Sequence, residues 1–170
     1  MRPTDNGADG HLWMENLAAC GAYVICIERD NWADKINNWG EDVMGVYQSM
    51  VKNPRVDKQR VFLFGISSET VFTSAFLTNS PNLWKGVVFL SPTELPDYSH
   101  AEGFDRMPKI IISVGGEENY NDRLEKFQSQ ALNSGVLVEN VIHPGEKHYV
   151  LSNAALRERN RAFTKFIFEE

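Results

Sequence analysis

The stretch VDKQRVFLFGISSETVFTSA, residues 56–75, decides the fold. Its apolar run, Arg60–Phe64, predicts a buried strand, and a helical pattern, Ser67–Thr78, follows with almost no gap. A sharp turn at Gly65-Ile66-Ser67 would hold the Ser67 hydroxyl clear of its own backbone. The backbone N–H of Ser68 would then lie at a helix N-terminus, where it stabilises a negatively charged oxygen. The competing interpretation is a helix N-cap, which is the commoner role of such a serine.

The rest of the chain alternates apolar runs with helical patterns, which is typical of a mostly parallel sheet with helices on both faces. The predicted strands are Ala22–Glu28, Arg60–Phe64, Gly86–Leu90, Lys109–Val114 and Val136–Ile142. The predicted helices are Leu12–Cys20, Asn38–Lys52, Ser67–Thr78, Asp122–Asn133 and Asn153–Glu169. The first four strands are nearly continuous apolar runs and should be buried on both faces, whereas the fifth alternates and should lie toward a sheet edge. The polar segment Ser91–Met107 predicts a long loop, and the absence of a linker predicts one domain over residues 1–170.

Composition excludes several classes of function. The net charge is −6 and the basic residues are scattered, which argues against a surface for nucleic acid or an anionic membrane. Cys20 and Cys26 lack metal-ligand spacing, as do the other candidate ligands, so no metal is expected. The chain has no apolar run of about 18 residues, and its start lacks the apolar core of a signal peptide. These features favour a cytoplasmic location.

Five motifs in matching order resemble those of the α/β-hydrolase superfamily, most closely the catalytic domain of prolyl-oligopeptidase-like serine peptidases and related esterases. They are Val56-Asp57 with Arg60-Val61 and Gly65-Ile66-Ser67; Pro81-Asn82-Leu83-Trp84-Lys85-Gly86 with Ser91-Pro92; Pro108 before the fourth strand; Leu132 and Gly135-Val136 with Val138-Glu139; and Pro144-Gly145-Glu146-Lys147-His148. The resemblance covers nearly the whole chain. It implies an α/β-hydrolase-like sheet of about five strands and a serine hydrolase of esterase or peptidase type, which needs no cofactor and acts on a small ester or peptide.

The resemblance also implies roles for individual residues. Ser67 would be the nucleophile, His148 the base and the Ser68 N–H an oxyanion donor. The acid would be Glu118, three residues after Gly115, where the family usually has aspartate. The alternatives for the acid are Glu117 and Asp122, since acidic residues also gather at the start of a helix to complement its dipole. Of the other histidines, His11 and His100 are interpreted as surface residues and His143 as a strand-end residue.

Two departures from the family pattern bear on activity. Glu69 and Thr70 stand where the family has glycines, and the glutamate is expected to crowd the turn or oppose an oxyanion, relaxing the turn. The family also has a strand that supplies a second oxyanion donor, and nothing before Leu12 has the composition for it. Losing one donor lowers the rate by roughly a hundredfold to a thousandfold, so the chain is expected to be a poor enzyme without a missing N-terminal segment or self-association.

Two other functions stay open at this point. One is a non-catalytic hydrolase-fold domain that serves binding or scaffolding, which predicts that Ser67 lies out of hydrogen-bond reach of His148. The other is a flavodoxin-like ligand-binding domain, for which Gly65-Ile66-Ser67-Ser68 and Gly115-Gly116 are poor phosphate loops.

Overall fold

A computed structural model describes residues 17–25, 32–98, 106–118, 121–148 and 151–169, with the backbone alone for 32–38 and 121. The chain divides into two compact units, residues 1–58 and 59–170. The single-domain interpretation of residues 1–170 stays a prediction. The candidate residues that fall in the described regions lie in the second unit.

The described part of the first unit contains one long helix, α1, over Trp32–Met50. It begins six residues before the predicted helix, because no proline interrupts the polar residues that precede its apolar stripe. The predicted helix Leu12–Cys20 is described only from residue 17, and it ends in a turn at Gly21, whose φ is +89°. That positive φ is the left-handed geometry that favours glycine after a helix.

The predicted strand Ala22–Glu28 is wrong over residues 22–25, which have no regular structure, while residues 26–28 lie outside the described part. The apolar side chains there are exposed, with Tyr23 at 53% and Ile25 at 47%. A strand exists only where its backbone pairs with a neighbour, and an apolar run of four to eight residues does not reveal whether a neighbour is present.

The second unit is built on a four-stranded, fully parallel sheet, in the order β1-β2-β3-β4. The strands are β1 Phe62–Ile66, β2 Gly86–Leu90, β3 Lys109–Gly115 and β4 Val138–His143. Every residue of β2 is buried, and because successive side chains point to opposite faces, both faces of the sheet must be covered there. The predicted parallel architecture is confirmed, with four strands in the described residues rather than about five.

The two outer strands differ in how well the sequence predicted them. The alternating fifth run forms β4 at an edge, as expected. The run Arg60–Phe64, predicted to be buried on both faces, begins two residues later as β1 and is mostly half-buried. Within the described residues β1 is also an outer strand, and an outer strand keeps part of its side-chain surface accessible however apolar its sequence is.

Within the residues of this unit that the structure describes, three helices pack on the sheet. α2 covers Thr70–Asn79 and contacts β1, α3 covers Asn121–Asn133 and contacts β4, and α4 covers Asn153–Phe168 and contacts β3 and β4. A short 3₁₀ turn, Ser67–Glu69, joins β1 to α2. The buried apolar side chains of the core come from the three helices and from β2 and β3, and they include Leu77, Phe89, Ile111, Leu124 and Phe163.

Because all four strands are parallel, their carboxyl ends meet at one edge of the sheet. Ser67 directly follows β1, and Ser91 directly follows β2. Glu118 comes three residues after the end of β3, and His148 five residues after the end of β4. This edge therefore collects one polar side chain from each strand end. The predicted loop Ser91–Met107 has no regular structure over residues 91–98 and 106–107, and 99–105 lie outside the described part.

Candidate active site

Ser67 sits on a tight turn with φ +49°, in the left-handed region that non-glycine residues rarely adopt. The strand and the helix approach each other closely just before it. A Cβ on Gly65 would lie 2.5 Å from Thr73 Oγ1 and 3.0 Å from Thr73 Cβ, so a larger residue at this position would have to displace the Thr73 side chain. Such a backbone persists only where its surroundings hold it, and it is found most often at functional sites.

His148 is held by a loop, residues 144–148, that folds over the end of β3. The N–H of Gly116 donates to the His143 carbonyl at 2.7 Å, and the N–H of Glu117 donates to the Glu146 carbonyl at 3.0 Å. A Cβ on Gly115 would lie 2.5 Å from the Glu146 carbonyl oxygen and closer still to that of Lys147. The loop therefore rests directly on a glycine backbone.

The loop also contacts the start of α4. The N–H of Ser152 donates to Glu146 Oε2 at 3.0 Å, and the pKa of the Glu146 carboxyl is lowered first by the Ser152 side chain and then by this N–H. Ser152 caps α4 by accepting from the Ala155 N–H. The loop is thus bound both to the end of β3 and to the start of the last helix.

Three of the predicted residues meet in one hydrogen-bonded line. Ser67 Oγ lies 2.9 Å from His148 Nε2, and His148 Nδ1 forms a short hydrogen-bond contact with Glu118 Oε2. The side chain of Glu118 is 5% exposed and that of His148 is 41% exposed. The line therefore runs from a buried carboxylate, through a partly accessible imidazole, to a hydroxyl at the end of β1. This is the geometry in which a base withdraws the hydroxyl proton.

Glu118 is oriented by two donors on its other oxygen. Glu118 Oε1 accepts from the Gly115 N–H at 2.6 Å and from Ser91 Oγ at 2.7 Å. Oε2 is thereby left to face the imidazole. Of the two alternatives for the acid, Glu117 is exposed and Asp122 is exposed in the first turn of α3. Glu118 is the carboxylate that meets His148.

Ser91 was not singled out from the sequence. It is 1% exposed and, like Ser67, is a non-glycine residue with positive φ, at +43°. The residues before the two serines, Ile66 and Leu90, pair across β1 and β2, so the serines occupy equivalent places at neighbouring strand ends. The signal that could have found Ser91 is a polar residue directly after a buried parallel strand.

Glu69 does not relax the turn, contrary to the expectation from sequence. It is half-buried at the end of the 3₁₀ turn, and its carbonyl accepts from Thr73 Oγ1 at 3.2 Å. The close approach of β1 and α2 falls at Gly65 instead, so the helix side tolerates larger residues. Ser68 lies in the same turn with its side chain exposed, and the role of its N–H as an oxyanion donor stays a prediction.

Of the three remaining histidines, the structure describes only His143. His143 ends β4, as the sequence predicted, and is 1% exposed with Nε2 3.0 Å from Ser113 Oγ. Burial lowers the pKa of His143, the nearby Arg159 lowers it further, and Glu158 and Glu146 act in the opposite direction. His11 and His100 lie outside the described residues.

The described ranges contain neither a candidate metal site nor a helix that could span a membrane. No group of three or more histidine, cysteine, aspartate or glutamate side chains there could hold a metal ion. None of the helices in those ranges is both long and apolar enough to cross a membrane.

Comparison with solved structures identifies the fold. The dienelactone hydrolase of Anabaena variabilis is similar over 92% of this chain and 76% of its own, with a TM-score of 0.63 and 16% identity. Porphyromonas gingivalis dipeptidyl peptidase 4 is similar over 76% of this chain and 22% of its own, with a TM-score of 0.60 and 13% identity. Arabidopsis thaliana SOBER1 is similar over 74% of this chain and 61% of its own, with a TM-score of 0.56 and 20% identity.

All of these similar structures are α/β-hydrolase-fold proteins, and the chain has this fold. The chain spans less than two thirds of the length of SOBER1 and of the dipeptidyl peptidase. No model of a known protein family matches the sequence, and no curated protein sequence matches it.

Proposed function

We propose that this chain carries the catalytic site of a serine hydrolase of esterase or peptidase type. The observation that carries the proposal is the 2.9 Å contact between Ser67 Oγ and His148 Nε2, with Glu118 on the far side of the same imidazole. The strained turn at Ser67 and the burial of Glu118 support it, because both are features that a functional site needs and an ordinary strand–helix turn does not.

In the proposed mechanism Ser67 Oγ attacks the carbonyl carbon of an ester or peptide while His148 Nε2 takes the hydroxyl proton. The C–O bond to Ser67 forms, and the carbonyl electron pair moves to its oxygen, next to the Ser68 N–H. When the tetrahedral intermediate collapses, the imidazolium gives its proton to the departing alcohol or amine and the acyl group stays on Ser67. A water molecule then repeats the sequence, with His148 as its base, and releases the acid.

Glu118 would act through His148 in every step. Its Oε2 accepts from Nδ1–H and so keeps Nε2 free of its proton and directed at Ser67. It also stabilises the imidazolium that forms when the serine proton is transferred. The two donors on Oε1, from Gly115 and Ser91, keep the carboxylate from rotating away.

The class of substrate follows from the chemistry and from the similar structures. An acyl-enzyme mechanism suits carboxylic esters and peptides, and two of the similar proteins are described as a dienelactone hydrolase and a dipeptidyl peptidase. Neither a metal nor an organic cofactor takes part in the proposed steps.

A second candidate is a hydrolase-fold domain that binds without catalysis. The observation that favours it is Glu69, a half-buried acidic residue two positions after Ser67, where its charge would oppose a developing oxyanion. Its prediction that Ser67 lies out of hydrogen-bond reach of His148 is wrong, since the two side chains are 2.9 Å apart. What this candidate still predicts is that Ser67 is no more nucleophilic than other serines of the chain.

A fluorophosphonate probe, which phosphonylates activated serines, separates the two candidates. We expect stoichiometric labelling of the wild-type chain at Ser67, located by peptide mass spectrometry. Ser67→Ala and His148→Ala should abolish labelling. Ser129→Ala, which alters an exposed serine on α3, should leave it unchanged.

Circular dichroism of the same samples shows whether each variant is folded. A folded wild-type chain that takes up no label at Ser67 would exclude the hydrolase and leave the binding domain.

A further inference from the structure

Thr70 occupies the first position of α2, where the family pattern has glycine, and its side chain is fully buried. A threonine hydroxyl carries one hydrogen to donate and two lone pairs to accept with. In a fully buried place each of these should have a partner, since an unpaired buried polar group is destabilising. Thr70 Oγ1 has partners of both kinds, and one of them is the carbonyl of Ser67.

The hydroxyl joins the proposed nucleophile to the loop after β2. Thr70 Oγ1 donates to the Ser67 carbonyl at 2.5 Å. It accepts from the backbone N–H of Thr93 at 3.0 Å and from that of Glu94 at 3.2 Å. One side chain therefore holds the backbone of two segments that meet at the carboxyl end of the sheet.

Thr93 adds a second contact to the same carbonyl. Thr93 Oγ1 donates to the Ser67 carbonyl at 3.1 Å, and the Thr93 N–H approaches it at 3.4 Å. Arg123, on α3, in turn donates to the Thr93 carbonyl at 2.7 Å and lies 3.8 Å from the Glu94 carboxylate. The loop that braces Ser67 is thus itself fixed to α3.

The Ser67 carbonyl is the group through which the turn can be held. With φ at +49° Ser67 adopts a conformation that its own side chain disfavours. Glu69 and Thr70, which follow in the chain, are not glycines and so do not relieve this backbone strain. A carbonyl fixed by two hydroxyls cannot rotate without breaking both bonds, and rotation of the peptide plane would move Ser67 Oγ away from His148 Nε2.

We propose that Thr70 is a positioning residue for the Ser67 nucleophile, because its hydroxyl locks the Ser67 carbonyl to the loop after β2. The proposal rests on the proposed function, since it assigns Thr70 a role in that site. The chain thereby replaces the small residues of the family pattern with a hydrogen-bonded clamp.

The test compares Thr70→Val, which keeps the shape and removes the hydroxyl, with Thr70→Ser, which keeps the hydroxyl. The matched control is Thr78→Val in the same helix: Thr78 Oγ1 donates to the Ser74 carbonyl at 3.0 Å and accepts from the Asp97 N–H at 3.2 Å, so it also ties α2 to this loop, away from Ser67. The measurement is the second-order rate constant of labelling by the fluorophosphonate probe, with the unfolding midpoint in urea recorded for each variant.

We expect Thr70→Val to lower the labelling rate constant on the order of tenfold to a hundredfold, because small displacements of a reacting group have effects of that size. Thr70→Ser should restore it to within a few-fold of wild type, and Thr78→Val should match wild type even though its midpoint falls. The pH at which labelling is half-maximal should not move, because His148 and Glu118 are unchanged.

A folded Thr70→Val that labels at the wild-type rate would overturn the positioning role and leave the proposed function standing. An equal loss of rate in Thr78→Val would also overturn it, since the effect would then follow stability alone. A wild-type chain that is not labelled at all would remove the proposed function and this role with it. If Thr70→Val does not fold, Thr93→Val is measured instead, and a rate unchanged from wild type would overturn the clamp.

Discussion

Glu118 is one methylene longer than the aspartate that the family pattern has at this place, and the surrounding residues accommodate that length. Its Oε1 is bound by the Gly115 N–H and by Ser91, while Oε2 reaches His148. The Gly115 N–H and the Ser91 hydroxyl therefore fix the Glu118 carboxylate through the oxygen that faces away from His148. A shorter acid would have to give up either these donors or the imidazole.

At this scale we predict that Glu118→Gln lowers kcat for a chromogenic ester by roughly three to four orders of magnitude, because the amide no longer selects the productive imidazole tautomer. Glu118→Asp should lower it less, but measurably, since the carboxylate is withdrawn from its partners. Steady-state hydrolysis measures both.

Glu117→Gln is the matched control, as Glu117 is exposed and its N–H, which the substitution keeps, forms its contact with Glu146. Equal activities of Glu118→Gln and wild type would remove Glu118 from the site.

At the scale of elements, the site depends on two glycines that let other backbone approach. Gly65 lets α2 cross β1 closely, and Gly115 lets the loop of residues 144–148 rest on the end of β3. These contacts set the positions of Ser67 and His148, which belong to elements far apart in sequence. The distance between the two side chains is thus fixed by packing of backbone against backbone.

We predict that Gly115→Ala lowers the free energy of unfolding by about 1–3 kcal/mol or more, because its Cβ would meet carbonyl oxygens that are part of the backbone and cannot turn aside. It should also lower probe labelling of the folded fraction, since the loop carrying His148 is displaced. Urea titration and labelling at low temperature measure the two effects.

Gly45→Ala is the control for this substitution. Gly45 lies within α1 and a Cβ there would meet nothing within 4 Å, so alanine should stabilise the chain by up to about 1 kcal/mol. A Gly115→Ala variant as stable and as reactive as wild type would show that the loop does not depend on this contact.

At the scale of the whole molecule, His143 couples stability to pH. Its pKa is lowered from the ordinary value of 6.5, chiefly by burial, so the folded chain prefers the neutral imidazole. Between the lowered pKa and 6.5 the unfolded chain binds more protons than the folded one, and stability therefore rises with pH. The stability that the neutral imidazole of His143 contributes to the folded chain is fully present above about pH 6.5, and it is lost as the pH falls from there toward the lowered pKa.

We predict that the free energy of unfolding of the wild type falls between pH 7 and pH 5 more steeply than that of His143→Gln, which keeps a polar group near Ser113 but cannot be protonated. Urea titrations of both proteins at several pH values measure the difference. Parallel curves over this range would mean that the pKa of His143 is the same in the folded and the unfolded chain.

Several features were determined by the sequence alone. The apolar runs predicted all four strands within two residues of their observed ends, and Gly86–Leu90 without any difference. The turn Gly65-Ile66-Ser67 pointed to Ser67, and the resemblance of the run Pro144–His148 to a family motif pointed to His148. These features are local: side-chain periodicity and glycine at a close approach leave their mark within a few residues of the chain.

Other features were decided only by the tertiary structure. The choice of Glu118 over Glu117 and Asp122 depends on which carboxylate reaches an imidazole that comes 30 residues later. The roles of Ser91 and Thr70 depend on contacts with Glu118 and Thr93, 27 and 23 residues away. The failure of the predicted strand at residues 22–25 is of the same kind, since pairing requires a neighbour that the run itself does not encode. Local pattern specifies which elements form, whereas a site is a set of distances between elements, and those distances exist only once the sheet is assembled.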